Sequence, residues 1–328
     1  RHTMKKILLS ACLAAALPLG AAQAADVVEL NLGHVLATDS HYHIVAEKLA
    51  EVAAAKSKGT LKINVFPSGQ LGGEVKLIQS ARTGAVPLVV TGEPPVENTV
   101  KEFGVFSLPY LFPDLQKANH AMQSQFGKRM LGYLDKHGLV GLGWISSLER
   151  NIYGVRKVEH PDDMKAMKIR VIQSPGYVRA YEALGAQPTP MAYSEVYLAL
   201  QTGVIDAGEA SPDTMIQDKF AEVSKYYNLV KIHYMPAILL MSKARMDKLS
   251  PEHQKILREA ADEAVKHGIQ YYTDGYAKSL EQIKAMGVQI VSPDIAEFRE
   301  KTAALYPSLL ADIPDGEANV KAARAAIE

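Results

Sequence analysis

The chain has 328 residues, with 36 basic and 36 acidic side chains, and so lacks the positive surface that nucleic acid or an anionic membrane requires. A chain of this length buries a core that needs no disulfide staples, and its one cysteine, Cys12, lies in an apolar leader. Thiol chemistry and a disulfide framework are thereby excluded from the rest of the chain.

The leader begins at Met4, behind Arg1-His2-Thr3. Lys5 and Lys6 supply a positive start, Ile7 to Leu19 an apolar stretch, and Ala22-Gln23-Ala24 a small-residue cleavage site. These are the three parts of a secretion signal, and the exported chain is expected to start at Ala25 or Asp26. Arg1, Lys5 and Lys6 leave with the leader and no acid does, which tips the exported chain slightly acidic. No later stretch is long and apolar enough to span a bilayer.

Beyond the leader, strand-like and helix-like segments alternate, the pattern of α/β layering. Val27 to Leu32 alternates as a first strand, and Asp39-Ser40 caps a helix whose apolar face carries Ile44, Val45, Leu49 and Val52. Leu61 to Phe66 is the next strand. Gly72-Gly73-Glu74 opens a helix closed by Gly84, and Val86 to Thr91 reads as a buried strand. An irregular connection at Phe106 to Phe112 leads to a predicted helix from Ala118 to His137 and a glycine-rich strand from Leu139 to Ile145. A second unit starts near Arg150. It holds a strand at Lys168 to Ile172, helices from Ser174 and Ser194, a strand at Val204 to Ala207, and a helix from Pro212-Asp213 to Tyr226. Val230 to Met235 and Ile238 to Ser242 read as strands returning to the first unit. Ser250-Pro251-Glu252 opens a helix to about Met286, roughly 54 Å if unbroken, which either bridges both units or kinks near Gly268 or Gly275. Ile295 to Ile327 reads as helical.

The segment Lys168-Ile169-Arg170-Val171-Ile172, followed by Ser174-Pro175-Gly176-Tyr177, carries the clearest functional signal. Ile169 and Val171 point to one face of a strand, and Lys168, Arg170 and Ile172 to the other. Ser174 can cap the following helix, and Pro175 suits its first turn. Ligands of open α/β sheets sit at the carboxyl ends of strands, and an arginine there offers a planar fork matched to a carboxylate. The competing reading is a surface arginine paired with a neighbouring acid.

After that helix come Gly185-Ala186-Gln187-Pro188-Thr189-Pro190-Met191 and then Tyr193-Ser194-Glu195-Val196-Tyr197-Leu198-Ala199-Leu200-Gln201-Thr202-Gly203-Val204-Ile205-Asp206. The run from Lys168 to Asp206 resembles the solute-binding proteins of TRAP transporters, the tripartite periplasmic carriers for organic acids. The resemblance extends from Gly33-His34 to the C-terminal helix. It implies an α/β, two-lobed periplasmic-binding-protein fold with hinge strands and a long helix spanning both lobes. Residues 1–24 would be leader, 25–147 with about 237–275 lobe I, and 148–236 with about 276–328 lobe II, the ligand cleft lying between them. The implied function is capture of a small organic acid in the periplasm and its delivery to the small and large membrane subunits of a carrier. No cofactor, metal, nucleic acid or enzymatic turnover is implied, and a monomer is expected. A ligand-binding partner of a signalling receptor is the alternative. An exported enzyme finds no nucleophile or zinc signature in the sequence.

Given the resemblance, Arg170 is expected to bind the carboxylate. Arg150, in Ser147-Leu148-Glu149-Arg150-Asn151, matches a second arginine used by some members, against the alternative of an ion pair at the hinge. Tyr193 falls where members place an aromatic at the pocket wall. Trp144, the only tryptophan, either stacks on the ligand or fills the core. Members that bind sugar acids carry Gly-Ala-Glu-Asn-Asn or a close variant where this chain has Ala207-Gly208-Glu209-Ala210-Ser211. The missing amide favours a smaller or more apolar acid, with Ser211 a partial substitute and Glu209 a structural support. His34 is expected to line the cleft. With His41 and His43 its spacing is loosely metal-like, but no acid or cysteine cluster joins them. Glu93, after a buried strand, is expected to meet a hydroxyl or amine.

Overall fold

The computed structural model describes residues 26–328, so the secretion signal and Cys12 lie outside it. Strand β1 (Val28–Gly33) pairs in parallel with β2 (Leu61–Phe66) and β3 (Leu88–Gly92), joined by helices α1 (His41–Lys56) and α2 (Glu74–Thr83). Ser40 caps α1 by accepting from the His43 N–H, and Gly84 ends α2 in the left-handed region at φ 81°, which a glycine enters without strain. Two 3-10 turns, Pro94–Asn98 and Lys101–Ser107, follow. The single helix predicted at 118–137 is two, α3 (Leu115–Gln123) and α4 (Gln125–Gly132). Ser124 ends the first, and its hydroxyl caps the second at the Phe126 N–H. The turn is so tight that a Cβ on Gly127 would lie 1.8 Å from the Met122 carbonyl oxygen.

Two long antiparallel strands tie the lobes together. β4 (Leu139–Gly154) has 16 residues and β8 (Tyr226–Ser242) has 17. Between them the chain forms β5 (Lys168–Val171), α5 (Pro175–Ala183), β6 (Gln187–Pro190), α6 (Val196–Gln201), β7 (Ala207–Ala210) and α7 (Pro212–Gln217). The helix expected to reach Tyr226 stops at Gln217, because Lys219 turns left-handed at φ 60°. The strand placed at Val204 starts later, where β7 pairs with β4. Nine strands make one sheet in the order β2-β1-β3-β8-β4-β7-β5-β6, with β9 (Gln289–Val291) beside β8. The β4–β8 register slips between Gly141 and Gly143, between Trp144 and Ser147, and again between Arg150 and Ile152. Pro236, which has no N–H to donate, pairs with Ser147 at the second slip, so the strand continues through it.

After the short α8 (Lys243–Met246), Ser250 caps α9 (Pro251–Ala285), 35 residues without a break. A Cβ on Gly268 would lie 2.4 Å from Val45 Cγ2, so this glycine lets α1 and α9 touch. Lobe I has one core, which gathers Leu30, Leu49, Leu88, Phe103, Leu139, Leu239 and Leu257. Lobe II has two: one holds Ile169, Val171, Tyr177 and Val230, the other Val196, Ala210, Phe220 and Ile283. Ile283, near the end of α9, carries that helix into lobe II.

Helix α10 (Ile295–Ala303) stays with lobe II through Phe298. The boundary expected for the C-terminal segment needs correction beyond that point. Leu309 of α11 (Tyr306–Leu310) and Val320 and Ala323 of α12 (Gly316–Ala325) join the core of lobe I. Arg129 donates to Asn319 Oδ1 at 2.7 Å and the Tyr133 hydroxyl to Asp315 Oδ2 at 2.7 Å, fastening α12 to α4.

Candidate functional site

Between the lobes lies a narrow void, lined by Val35, Leu36, Tyr42 and Glu74 of lobe I, Leu148, Arg150 and Met235 of the hinge strands, and Arg170, Ile172, Tyr193 and Thr214 of lobe II. The strand alternation read from the sequence holds: Ile169 and Val171 enter the core of lobe II, while Arg170 and Ile172 line the void. Arg170 is 2% exposed. Its Nε and Nη2 donate to one acceptor, the Met191 carbonyl, at 3.3 and 3.1 Å. Its guanidinium lies 5.7 Å from the centroid of the Tyr193 ring, which is held in turn by a 2.6 Å bond from its hydroxyl to Asp218. Among the described residues no carboxylate forms an ion pair with Arg170. A buried guanidinium in that state is expensive.

Arg150 is the contrast. Its Nε and Nη2 grip both carboxylate oxygens of Glu209, and Nη2 also donates to the Glu209 carbonyl at 2.6 Å. Burial opposes the charge on Arg150, but Glu209 outweighs it and holds the guanidinium well above its usual range. The alternative of a hinge ion pair is therefore what the structure contains. Arg150 still borders the void, with its charge already matched, and Glu209 is the structural support expected of it. Opposite stands Glu74. Oε1 accepts from the Thr91 hydroxyl at 2.9 Å and the Gly92 N–H at 3.3 Å, and the residue lines the void. Burial raises its pKa, against the pull of Thr91 and Arg170.

The lobes are fastened across the cleft at two places. On one side His41 Nδ1 meets Asp213 Oδ2 at 2.6 Å, and Gln217 donates to the Asp39 carbonyl at 2.9 Å. On the other, Glu97 Oε2 accepts from the Ser174 hydroxyl at 2.5 Å and the Gly176 N–H at 2.9 Å, with Arg179 3.4 Å from Oε1. The carboxylate of Glu97 thus sits on the positive end of α5, where an anion is favoured.

A family model for bacterial extracellular solute-binding proteins, family 7, matches residues 32–312. The chain belongs to this family. The solute-binding protein is similar to the sugar acid binding protein of Advenella mimigardefordensis, solved with galactonate, at 30% identity and TM-score 0.88 over 92% of this chain and 99% of that one. It is similar to a TRAP periplasmic solute binding protein of a Polaromonas species, solved with D-erythronate, at 30% identity and TM-score 0.87 over 90% and 98% of the two chains. The 2,3-diketo-L-gulonate-binding periplasmic protein of Escherichia coli is 29% identical over 89% of this chain and 90% of its own. The two-lobed fold expected from the sequence is that of these solved relatives.

Four residues singled out from the sequence of this solute-binding protein do not reach the void. Trp144 packs at 5.7 Å from Phe103 and 5.3 Å from Phe106, and its Nε1–H donates to the Gly127 carbonyl at 3.0 Å. It fills the core of lobe I. His34 is buried behind Tyr42, with Nε2 3.1 Å from His43 Nδ1, and burial lowers its pKa to about 3. Glu93 is buried with no hydrogen bond to either oxygen. Burial first, then Glu97 and Glu209, raise its pKa well above the ordinary carboxyl value. Ser211 turns toward α7, bonding Asp213 Oδ1 at 2.6 Å and Thr214 Oγ1 at 2.9 Å. The residues missed are Tyr42, Glu74, Thr214 and Met235. Glu74 was visible only as a helix opener. Its place after Gly72-Gly73, beside the end of β3, is the signal that marks it.

Proposed function

We propose that this protein is the periplasmic receptor of a TRAP carrier and captures a hydroxylated carboxylic acid without chemical turnover. The observation that carries the reading is the buried charge of Arg170, which forms no ion pair among the described residues. The ligand carboxylate takes the donors of Arg170 that Met191 leaves free, with the Tyr193 ring bracing the guanidinium from below. Each charge-assisted hydrogen bond there contributes about 1.5–3 kcal/mol. Glu74 Oε2 accepts a ligand hydroxyl. Leu36, Leu148, Ile172 and Met235 enclose the carbon chain and exclude water. Relatives that hold galactonate and D-erythronate support a polyhydroxy acid. The narrowness of the void and the absence of an amide at Ala210 favour the short end of that range. The loaded, closed form would then dock on the small and large membrane subunits and release the acid there.

The test is a thermal-shift and calorimetric screen of the exported protein against aldonates, uronates, dicarboxylates and aromatic acids, repeated on Arg170→Ala. A hydroxy acid should raise Tm by mass action, and Arg170→Ala should weaken it at least a hundredfold, about 3 kcal/mol. Unchanged affinity in that variant would remove the carboxylate assignment.

A further inference from the structure

The contact between His41 and Asp213 does more than join the lobes. It fixes the direction of a chain of hydroxyls that ends at the void. Asp213 is buried, which works against its charge, but His41 and Ser211 hold its pKa below the ordinary value, so it is a carboxylate. A carboxylate only accepts hydrogen bonds. Ser211 Oγ, 2.6 Å from Asp213 Oδ1, must therefore spend its single proton there. The same Oγ lies 2.9 Å from Thr214 Oγ1. With the Ser211 proton spent, Thr214 is the donor in that pair. Its own proton is then used as well, and only lone pairs remain on a side chain that borders the void.

We infer that Thr214 is a specificity-determining acceptor that selects ligands presenting a hydroxyl at its position, its direction set across the cleft by His41 and Asp213. This rests on the hydroxy-acid reading above. A carbonyl or second carboxylate at that position would bring acceptor against acceptor and is refused. In the open form water would solvate Asp213, Ser211 and Thr214, and the direction of the chain would no longer be fixed. Recognition of the hydroxyl is therefore coupled to closure, and His41 and Asp213 are positioning residues.

The experiment takes whichever of D-erythronate, D-galactonate and D-glucuronate binds the full exported chain, together with its mono-deoxy counterparts. Each is titrated by calorimetry into the wild type, Thr214→Val, Thr214→Ser and Asp213→Asn. One deoxy acid should bind the wild type at least tenfold more weakly than its parent. Thr214→Val should lose a similar factor for the parent and little more for that deoxy acid, while Thr214→Ser keeps the discrimination. Asp213→Asn, whose amide can donate to Ser211, should reduce the discrimination and leave the Arg170 dependence intact. If Thr214→Val weakens every acid equally, or none, while Arg170→Ala still abolishes binding, the inference falls alone. If none of the three acids binds the wild type, the hydroxy-acid reading falls and takes the inference with it. Melting curves of the free variants confirm that each is folded.

Discussion

Arg170 brings a buried charge into the protein that forms no ion pair among the described residues, so binding and stability should pull in opposite directions there. Replacing it with Met keeps the volume and removes the desolvated charge. The expected outcome is an unliganded Tm equal to or above that of the wild type, together with loss of acid binding; a fall of several degrees would mean that Arg170 holds the fold. Arg150 should behave in the opposite way. Glu209→Gln leaves a buried guanidinium without its counter-charge, which should cost about 3–5 kcal/mol in urea unfolding. The two arginines look alike in the sequence, and only one could be read from it. Arg170 sits in a strand whose alternation shows which way it points. The partner of Arg150 lies 59 residues away and meets it only because β7 pairs with β4, a pairing no local pattern announces. Trp144 escaped for the same reason, since Phe103, Phe106 and the Gly127 carbonyl come from other elements.

At the level of elements, capping residues made boundaries legible and tertiary contacts moved them. Ser40, Ser174 and Ser250 each cap the helix they were expected to open. The two strands read on either side of Pro236 are one, because proline marks a break unless a bulge absorbs it, and the bulge depends on β4. Helix α9 offers a paired test. Gly268 faces Val45 and Ile145, whereas a Cβ on Gly275 would meet nothing within 4 Å. Gly268→Val should force α1 and α9 apart and destabilise by about 2–3 kcal/mol. Gly275→Ala should stabilise by about 0.5–1 kcal/mol, through helix propensity alone. Denaturant midpoints of the two variants would check both signs, and equal effects would mean that the close approach is not what Gly268 provides.

For the whole molecule, buried histidines and buried carboxyls pull the response to acid in opposite directions. Burial lowers the pKa of His34 and of His233 to about 3. Between that value and the ordinary one near 6.5 the unfolded chain binds protons that the folded chain refuses, so stability falls as pH drops through this window. Asp218 works the other way, since burial raises its pKa to about 6 and its folded form takes up a proton first. So do Glu74 and Glu93, whose carboxyl pKa values burial also raises, and the fall in Tm that belongs to a histidine is read by replacing it. His233→Gln, which can still reach the Ser107 carbonyl, should flatten that fall, and a pH profile of Tm would show whether it does. The two lobes themselves were legible in the sequence. The return of the last segment to lobe I was not, because its apolar residues say that it is covered but not by what. That return has a practical consequence. Val28 and Val320 belong to the same rigid half, so fusions joined at both ends would move together and register nothing as the cleft shuts. A fluorophore at Ala318, exposed on the same helix as Val320, paired with one on Leu198, an exposed residue of the opposite half, would read the acid's arrival as a change in distance.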